Sequence, residues 1–377
     1  MGHKRVVGIC CALLLTAACV RGGRSGETAR PTGAPEWPSV SPAAAGLDPH
    51  RLDAIAAQAK KGKSNCLAVV RNGKLAREWY FRGTGPDSTQ NIYSATKSVT
   101  SVLVGIAQDD GVLHVGDSAS KWIPEWRGTP AQAVTVRDLL SMVSGREWSV
   151  RVDYAQLLRA RDRTAFAVGL GQQHAPGKVW AYNNSAVQTL QRVLQKATGQ
   201  DVAAYARKRL FEPLGMARTA MTRDRAGNAQ MFMGVQSTCR DMARFGSLML
   251  DRGTWNGRRI VSAAWVGEAT GRSSTRLNAA YGYLWWLNRP GTVAGPLAAT
   301  DIGAASRPTT VQGPLVHGAP QDLFWALGLG NQLVQVDPGS GTVVVRLGTP
   351  EPRPRPPTFG PAEAAKVVTE AVVRDKP

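Results

Sequence analysis

A serine and a lysine, Ser94 and Lys97, stand one helical turn apart at the start of a segment with helical apolar spacing. A serine hydroxyl is a weak nucleophile at neutral pH and needs a nearby base to accept its proton. Residues three apart on a helix share a face, so Lys97 can reach Ser94. Free N–H groups at a helix N-terminus also favour the negative charge that develops in acyl transfer. The pair therefore predicts a lysine-activated nucleophilic serine.

The chain contains two Ser-Xaa-Xaa-Lys motifs, and only the first is followed by a helical pattern. Apolar residues after Ser94 recur at helical spacing, and Gly111 stands where a C-terminal cap belongs. The second copy runs from Ser118 to Lys121 and is followed by Pro124, which interrupts a helix. We therefore predict a loop or turn for the second copy and assign the nucleophile to Ser94.

A second polar pair, Tyr182 and Asn184, lies in a turn that leads into a helical pattern. A tyrosine with its usual pKa of about 10 is a useful base only if cations lower that pKa, and Lys97 and Lys178 are candidates. Asn184 carries both donors and acceptors, so it can hold Lys97 and a substrate amide together. Tyr-Xaa-Asn alone is a common turn, but its place after Ser-Xaa-Xaa-Lys predicts that both pairs share one site.

Other catalytic schemes fit poorly. The chain has no Gly-Xaa-Ser-Xaa-Gly motif, and its histidines stand in no triad-like context. His174 lies near Tyr182 in sequence, and we predict a surface loop for it rather than a place in the pocket. The spacing of cysteines and histidines suggests no metal site, so neither a metal nor another cofactor is expected.

Together these motifs resemble the serine β-lactamase and penicillin-binding-protein superfamily, on its class C side, from about Ala45 onward. Other similar stretches are residues 91–94, 139–145, 241–246, 281–286, 318–328 and 343–348. The last two are most similar to its esterase and 6-aminohexanoate-oligomer hydrolase branch. The resemblance implies Ser94 as nucleophile, Lys97 and Tyr182 as partners in the base role, Asn184 as a substrate-binding residue, and an acyl-enzyme intermediate.

The third motif departs from that superfamily, where it is Lys-Thr-Gly or a histidine-containing relative. Here residues 328–332 read Gly-Leu-Gly-Asn-Gln, without a cation. The motif helps to hold a substrate carboxylate, and a lost charged hydrogen bond costs roughly 1.5–3 kcal/mol. Weak β-lactamase and D,D-peptidase activity is therefore expected. The oxyanion hole needs only backbone N–H groups, and Gly328, Gly330 and Asn331 are the predicted substrate-binding residues of this strand.

The N-terminus reads as an export signal over residues 1–19, with basic residues, a short apolar run and then Cys19. Residues 15–19 resemble a bacterial lipoprotein box, apart from Thr16 where leucine is usual. Cleavage near Ala18 without lipid is the alternative. Residues 20–44 have the composition of a flexible linker. The protein is expected in the periplasm or at the cell surface, either free or anchored to the membrane through Cys19.

Charge and cysteine content add two expectations. The formal net charge of +19 favours anionic surfaces, but the charges are scattered and show no basic aromatic stripe, so no nucleic-acid partner is expected. Besides the cysteines at the N-terminus, the chain has Cys66 and Cys239. An oxidising compartment would permit a disulfide, yet we predict two separate buried thiols, because residues so distant in sequence give no evidence of pairing.

The order of the predicted elements indicates the fold. A helix at 49–60 and a hairpin at 67–71 and 74–81, turning at Asn72-Gly73, precede a mostly helical stretch over about 91–275. The predicted helices within that stretch are 136–143, 154–170, 185–198, 202–211 and 238–251. Strands follow at 281–287, 324–329, 332–336 and 342–347, then a last helix at 361–373.

This order predicts an α+β fold for a hydrolase domain over residues 45–377. One antiparallel sheet, built from both chain ends and flanked by helices, would carry an inserted mostly helical domain, with Ser94 at the seam between them. The stretch 288–322 is either a substrate-facing loop or a simple excursion.

Three functional hypotheses follow. The first is a serine hydrolase that cleaves a small-molecule ester or amide through an acyl-enzyme. The second is a D,D-peptidase or β-lactamase type of penicillin-interactive enzyme. The third is a non-catalytic tethered binding protein, for which the missing cation would be a first sign.

Overall fold

The computed structural model describes residues 37–296, 310–350 and 358–373. The predicted export signal and Cys19 lie outside the described residues. The helices are α1 (Pro49–Lys61), α2 (Thr96–Asp109), α3 (Val136–Leu140), α4 (Leu157–Arg159), α5 (Arg163–Gly169), α6 (Asn184–Thr198), α7 (Val202–Ala206), α8 (Cys239–Leu250), α9 (Ala263–Thr270) and α10 (Pro361–Lys366). The strands are β1 (Ser64–Arg71), β2 (Lys74–Tyr80), β3 (Gln90–Asn91), β4 (Ala220–Met221), β5 (Val235–Ser237), β6 (Thr254–Trp255), β7 (Arg258–Arg259), β8 (Trp286–Leu287), β9 (Thr292–Ala294), β10 (Thr310–Gln312), β11 (Phe324–Gly328), β12 (Gln332–Asp337) and β13 (Thr342–Gly348).

The main sheet is built from both ends of the chain, as predicted. Its six strands follow the order β2-β1-β13-β12-β11-β8, and neighbouring strands run antiparallel. Val69 of β1 lies opposite Val344 of β13, so the N-terminal hairpin closes directly onto the C-terminal strands. The mixed helix and antiparallel-sheet architecture confirms the predicted α+β fold.

The hairpin between β1 and β2 forms for the predicted reason. Asn72 and Gly73 have φ values of 49° and 75°, the left-handed conformation that a two-residue turn needs at both positions. Alternate side chains of β1 then enter two separate clusters. Leu67 and Val69 pack with α1 and α10, whereas Ala68 and Val70 enter the larger core shared with the helical part. Both faces of the sheet are thus covered.

The helix behind Ser94 is a buried core element. The side chains of Val99, Val102, Leu103 and Ile106 on α2 are all fully buried, which confirms the predicted helical pattern. Gly111 follows the helix with a φ of 72°, the conformation of a C-terminal cap. A 3₁₀ turn, Tyr93–Ala95, leads into α2 and carries the serine.

Two predicted elements are wrong in extent. The helix expected over 154–170 is broken into a π-helical turn, Val152–Gln156, followed by α4 and α5, because Asp162 accepts the N–H of Ala165 at 2.7 Å and starts a new helix. The strand expected over 281–287 is reduced to β8. Leu284 has a φ of 62°, and the neighbouring Tyr283 N–H bonds to a helix carbonyl at 3.1 Å instead of a sheet partner.

The remaining predicted helices and strands are observed with small changes at their ends. The helix expected over 202–211 contains α7 and then a π-helical turn, Arg207–Phe211, and the last helix continues from α10 into a similar turn, Val367–Ala371. The second Ser-Xaa-Xaa-Lys copy forms a short 3₁₀ turn, Ala119–Lys121, which confirms the prediction of a turn there.

Cys66 and Cys239 form a disulfide, so the prediction of two separate thiols is wrong. The bond joins β1 to the first residue of α8, and the two Cα atoms lie 6.4 Å apart although the residues are 173 positions apart in sequence. Tertiary folding brings the thiols together, and no local pattern reports it.

Part of the predicted linker is folded. Within residues 37–44, the indole N–H of Trp37 donates to the Gly73 carbonyl at 2.9 Å, and the Val40 N–H donates to the Leu75 carbonyl at 3.0 Å. The segment therefore lies against the β1–β2 hairpin from residue 37 onward. Within the ranges that the structure describes, no helix combines the length and apolar character needed to cross a bilayer.

Candidate active site

Ser94 lies in a tight turn that we call the nucleophile turn, residues 92–95. Tyr93 adopts a φ of 49°, which is uncommon for a residue with a side chain and marks local strain. The turn is held by the Ile92 N–H, which donates to the Val235 carbonyl at 3.0 Å, and by the Tyr93 N–H, which donates to Asn91 Oδ1 at 2.7 Å. Ser94 is therefore presented from a fixed backbone immediately before α2.

Lys97 is buried and reaches Ser94 as predicted. Its Nζ donates to Ser94 Oγ at 3.1 Å, to Asn184 Oδ1 at 2.7 Å and to the Phe232 carbonyl at 3.0 Å, and the residue is 1% exposed. Burial lowers the pKa of Lys97 to about 7, with Asp153 acting in the opposite direction. A neutral amine can keep its two bonds to Asn184 and Phe232 and turn its lone pair toward the Ser94 hydroxyl.

Tyr182 lies beside Ser94 and Lys97, but its pKa is not lowered by nearby cations as the sequence suggested. Lys97 Nζ lies 4.6 Å from the centre of the Tyr182 ring. Burial nevertheless raises the pKa of Tyr182 above its usual value, although its hydrogen bond with Ser94 acts to lower it. Lys178, the other proposed cation, is exposed. The expectation that cations lower this pKa is wrong, and Tyr182 remains a protonated hydroxyl at neutral pH.

Aromatic packing fixes the Tyr182 ring. Trp286 stacks on it with ring centres 5.8 Å apart, and Tyr281 contacts it edge-on at 6.1 Å. The indole N–H of Trp148 donates to the Tyr182 carbonyl at 3.0 Å. The phenol is thus positioned by both its ring and its backbone.

The first turn of α6 presents Asn184 to Lys97. Asn183 caps the helix by accepting the Ala186 N–H at 2.7 Å, so Asn184 becomes its first residue. Two residues that the sequence analysis missed support Asn184. Asp153 accepts its backbone N–H at 2.5 Å, and the Tyr154 hydroxyl is hydrogen-bonded with its side chain. Burial raises the pKa of Tyr154 to about 12.

The Phe232 carbonyl is the third acceptor of Lys97, and its segment is held by buried hydroxyls and amides. Thr100 Oγ1 donates to the Met231 carbonyl at 2.7 Å, while Gln188 Oε1 accepts the Met231 N–H at 3.0 Å. On the other side, Thr96 Oγ1 accepts the Gly234 N–H at 3.1 Å. Every residue has a backbone carbonyl, so the identity of residue 232 gave no indication of this contact.

Strand β11 brings the third motif against the nucleophile turn. Gly328 approaches so closely that a Cβ on it would lie 2.2 Å from the Ile92 carbonyl oxygen. The turn after β11 contains Gly330 and Asn331 with φ values of 76° and 59°. Gly328, Gly330 and Asn331 line the same cavity as Ser94, as does Asn184, and the contact of these four predicted substrate-binding residues with substrate stays a prediction.

Arg346 of β13 holds the turn after β11 through hydrogen bonds to its backbone. Its guanidinium donates to the carbonyls of Gly330 and Asn331, and also to the Gly62 carbonyl at 3.0 Å and Ser64 Oγ at 2.8 Å. Burial lowers the pKa of Arg346 to about 10. Arg346 lies in the stretch 343–348 that resembles the superfamily, but an arginine on a strand gives no sign of these particular contacts.

The cavity in front of Ser94 has a volume of about 820 Å³, within the range of small-molecule sites. Its wall is mainly apolar and includes Leu158, Phe232, Met233, Trp286, Leu315, Leu327 and Leu329. Gly295, Pro296 and Leu315 come from the described part of the stretch 288–322, which favours the substrate-facing interpretation of that stretch. His174 is not among the residues that line this cavity.

The assembled groups suit acyl transfer by proton exchange between Ser94, Lys97 and Tyr182. Among the residues that the structure describes, no cluster of three or more histidine, cysteine, aspartate or glutamate side chains is arranged to bind a metal ion. The groups brought together at the site are a serine hydroxyl, a buried amine and a buried phenol.

Comparisons with known proteins identify the family to which this chain belongs. A family model described as Beta-lactamase matches residues 52–368. The 6-aminohexanoate-dimer hydrolase of Paenarthrobacter ureafaciens is 24% identical over an alignment of 343 residues, which covers 81% of this chain and 79% of that protein. A penicillin-binding-protein homologue from Caulobacter crescentus has the same fold with a TM-score of 0.62 and 18% identity, covering 86% of this chain and 97% of that chain. A family VIII carboxylesterase has a TM-score of 0.61 and 16% identity, covering 84% of this chain and 95% of that chain. Because the family model spans most of the sequence, the chain belongs to the β-lactamase family and is a serine hydrolase.

Proposed function

We propose that this protein hydrolyses a small-molecule ester or amide through an acyl-enzyme on Ser94. The observation that carries the proposal is the buried contact of 3.1 Å between Lys97 Nζ and Ser94 Oγ. Burial lowers the pKa of Lys97 to about 7, so a substantial fraction of the amine is neutral at physiological pH and able to accept a proton.

Acylation begins when Ser94 Oγ attacks the substrate carbonyl carbon and its proton passes to Lys97 Nζ. The carbonyl π electrons move onto oxygen, where backbone N–H groups of Ser94 and of the end of β11 would stabilise the negative charge. The close approach of Gly328 to the nucleophile turn places these two backbone segments side by side.

Tyr182 transfers the proton onward. Its hydroxyl is hydrogen-bonded with Ser94 and lies beside the Lys97 amine. It can donate its own proton to the leaving alcohol or amine and receive one from Lys97, while the bond from carbon to the leaving group breaks. In deacylation a water molecule attacks the acyl carbon, its proton follows the reverse route, and Ser94 recovers its hydroxyl.

The cavity favours substrates with an apolar group next to the scissile bond, because its wall is largely aliphatic and aromatic. Strand β11 has the sequence Phe-Trp-Ala-Leu-Gly and offers no cation for a substrate carboxylate. The D,D-peptidase and β-lactamase alternative therefore lacks a cation on this strand, although Lys63 and Arg346 also line the cavity, and Arg346 is bonded to the carbonyls of Gly62, Gly330 and Asn331. The apolar wall is what favours an esterase or amidase of apolar substrates.

A fluorophosphonate probe and intact-mass measurement test the proposal. We expect one adduct on the wild type and none on Ser94→Ala. Ser118→Ala is the matched control, because Ser118 begins the second Ser-Xaa-Xaa-Lys copy and should leave labelling intact. A folded wild type without an adduct would overturn the proposal in favour of a binding protein.

Substrate class is tested next with a panel of aromatic esters of increasing acyl length, matched amides and a fluorescent penicillin. Turnover that increases from acetyl to longer acyl groups would support the apolar-substrate proposal. Rapid stoichiometric labelling by penicillin with little ester turnover would favour the penicillin-interactive alternative.

We also propose that the protein is exported, and that Cys19 carries a lipid. The Cys66–Cys239 disulfide supports export, because such bonds persist mainly in oxidising compartments. Metabolic labelling with an alkyne fatty acid should mark the wild type and not Cys19→Ala. An unlabelled but exported wild type would instead indicate cleavage near Ala18 without lipid.

A further inference from the structure

Asp153 is a buried carboxylate beside the site that no step of the reaction has used. It lies in the π-helical turn Val152–Gln156 and is fully buried. Its Oδ2 accepts the Asn184 N–H at 2.5 Å, and its Oδ1 accepts both the N–H and the hydroxyl of Ser185 at 3.1 and 2.6 Å. Both oxygens are thus engaged by donors at the N-terminus of α6, where a negative charge is stabilised.

The same carboxylate is connected to Lys97 through Asn184. The backbone N–H of Asn184 donates to Asp153, while its side-chain oxygen accepts Lys97 Nζ at 2.7 Å. If Asp153 were lost, the first residue of α6 would lose its anchor, and Lys97 would lose both a fixed acceptor and a nearby negative charge.

We propose that Asp153 is a positioning residue for acylation, whose carboxylate fixes Asn184 and supplies the negative charge that stabilises the Lys97 ammonium formed when Ser94 attacks. This inference rests on the proposed function, because it assigns Lys97 as the base. Asp153 reaches the wall of the cavity, but both of its oxygens are bonded to the start of α6, so we assign it a positioning role rather than a catalytic one.

The groups around Lys97 support this assignment. The nucleophile turn contributes the Ser94 hydroxyl, the turn before α6 contributes Tyr182, and the Phe232 segment contributes a carbonyl oxygen. The π-helical turn contributes Asp153 and Tyr154. Burial raises the pKa of both tyrosines, so they are uncharged at neutral pH. Within the described parts of the chain, Asp153 is the charged group that acts on Lys97, and it raises the pKa that burial lowers.

The charge state of Asp153 follows from opposing effects. Burial raises the pKa of its carboxyl group above the usual value, and the hydrogen bonds from Ser185 and Asn184 and the charge of Lys97 offset only part of that rise. Three donors converge on the two oxygens, and this pattern favours the carboxylate. Replacing it with an amide keeps the shape and removes the charge.

The test measures the rate constant for fluorophosphonate labelling of Ser94 as a function of pH, on the full chain. This readout needs no knowledge of the natural substrate. In the wild type the rate should rise with pH as Lys97 loses its proton. In Asp153→Asn the inflection should move toward acid by about one pH unit, the size expected when an opposite charge nearby is removed. The labelling rate above the inflection should also fall, because the ammonium formed during attack is less stabilised.

Ser185→Ala is the matched control, because it removes one donor to Asp153 and leaves the carboxylate in place. Its inflection should stay with that of the wild type. Asp153→Ser provides a second neutral variant with its own acceptor oxygen, in case the asparagine variant does not fold, and thermal unfolding checks both.

The outcomes separate the two proposals. A folded neutral variant with the wild-type inflection overturns the role of Asp153, even if its overall rate is lower. A wild type that is never labelled overturns the proposed function and this inference with it. A shift toward acid in the neutral variants, absent in Ser185→Ala, supports the inference.

Discussion

At the scale of single residues, burial acts in opposite senses on the two candidate bases. Desolvation disfavours the charged form of any group, so it lowers the pKa of Lys97 to about 7 and raises that of Tyr182. At pH 7 Tyr182 is therefore uncharged, and a substantial fraction of Lys97 is uncharged as well. Only the neutral amine has an available lone pair of useful basicity. The geometry favours Lys97 as the proton acceptor and Tyr182 as the group that passes the proton on.

This assignment predicts the pH dependence of kcat/KM. Protonated Lys97 cannot accept the Ser94 proton, so activity should be low below the Lys97 pKa of about 7, rise through it and level off above it. Ester hydrolysis measured across this range tests the prediction. A rate that continues to increase toward the ordinary titration range of tyrosine would instead identify Tyr182 as the base.

The proton-transfer role of Tyr182 predicts the effect of Tyr182→Phe. General acid–base groups typically contribute about 10²–10⁴-fold, so kcat should fall by roughly that factor. KM should change little, because the ring and its packing against Trp286 remain. Steady-state kinetics on an aromatic ester provide the measurement.

Tyr205→Phe is the matched control, since the Tyr205 hydroxyl interacts with Asp110 outside the cavity. It should retain the wild-type kcat. A Tyr182→Phe variant with the same kcat as this control would remove Tyr182 from the mechanism.

The residue types that carry motifs could be identified from sequence, and their supporting contacts could not. Ser94 and Lys97 lie together as their spacing predicted, because a helical turn fixes their local geometry. Tyr182 and Asn184 join them through a tertiary contact, which the family resemblance rather than the spacing indicated. Asp153 and the Phe232 carbonyl depend on which segments the fold brings to Lys97. Their roles arise from tertiary contacts, which no spacing along the chain encodes.

At the scale of secondary-structure elements, the proposed oxyanion hole depends on how closely β11 approaches the nucleophile turn. Gly328 has no side chain at the point of contact, and an added Cβ would lie 2.2 Å from the Ile92 carbonyl oxygen and 3.1 Å from the Ala95 nitrogen. Either the strand or the turn would have to move. The backbone donors of the oxyanion hole would then separate.

Gly328→Ala should therefore lower kcat while the protein remains folded. Loss of a single oxyanion-hole donor costs about 10²–10³-fold, and we expect an effect of that order at most. Gly267→Ala is the control, because a Cβ on Gly267 of α9 meets open space. Kinetics and thermal unfolding of both variants provide the measurement, and equal kcat values would show that the close approach is dispensable.

Element prediction succeeded where short-range chemistry decides the conformation and failed where tertiary contacts do. The Asn72-Gly73 turn and the apolar face of α2 are local signals, and both elements form as expected. Asp162 was an available N-cap signal for the start of α5. By contrast, the bend at Leu284 goes with two tertiary hydrogen bonds, from the Tyr283 N–H to α9 and from the Leu284 N–H to α3, so the sequence over 281–287 reads as a longer strand than β8.

At the scale of the whole molecule, two connections close the fold around the site. The β1–β13 pairing joins the N-terminal hairpin to the C-terminal strands, and the Cys66–Cys239 disulfide joins β1 to α8. The chain enters α8 directly after β5, which pairs with β3 just before the nucleophile turn. The disulfide therefore constrains a loop of chain that includes Ser94, Lys97, Tyr182 and Asn184.

Removing the disulfide should lower stability far more than activity. A cross-link over 173 residues restricts the unfolded chain strongly, and native disulfides typically contribute about 2–4 kcal/mol to the free energy of unfolding. The double variant Cys66→Ala/Cys239→Ala avoids an unpaired thiol, and its free energy of unfolding should be lower by that amount, so it should unfold at a lower denaturant concentration. Its kcat should stay near the wild-type value, because the nucleophile turn is held by separate hydrogen bonds from Val235 and Asn91.

Denaturant unfolding with and without a reducing agent provides the measurement, and non-reducing peptide mapping checks that Cys66 and Cys239 are linked. Reductant should destabilise the wild type and leave the double variant unchanged. Equal stability of the two proteins under oxidising conditions would contradict a structural role for the bond. A large loss of kcat at full folding would show instead that the disulfide positions the site itself, through β5 and the nucleophile turn.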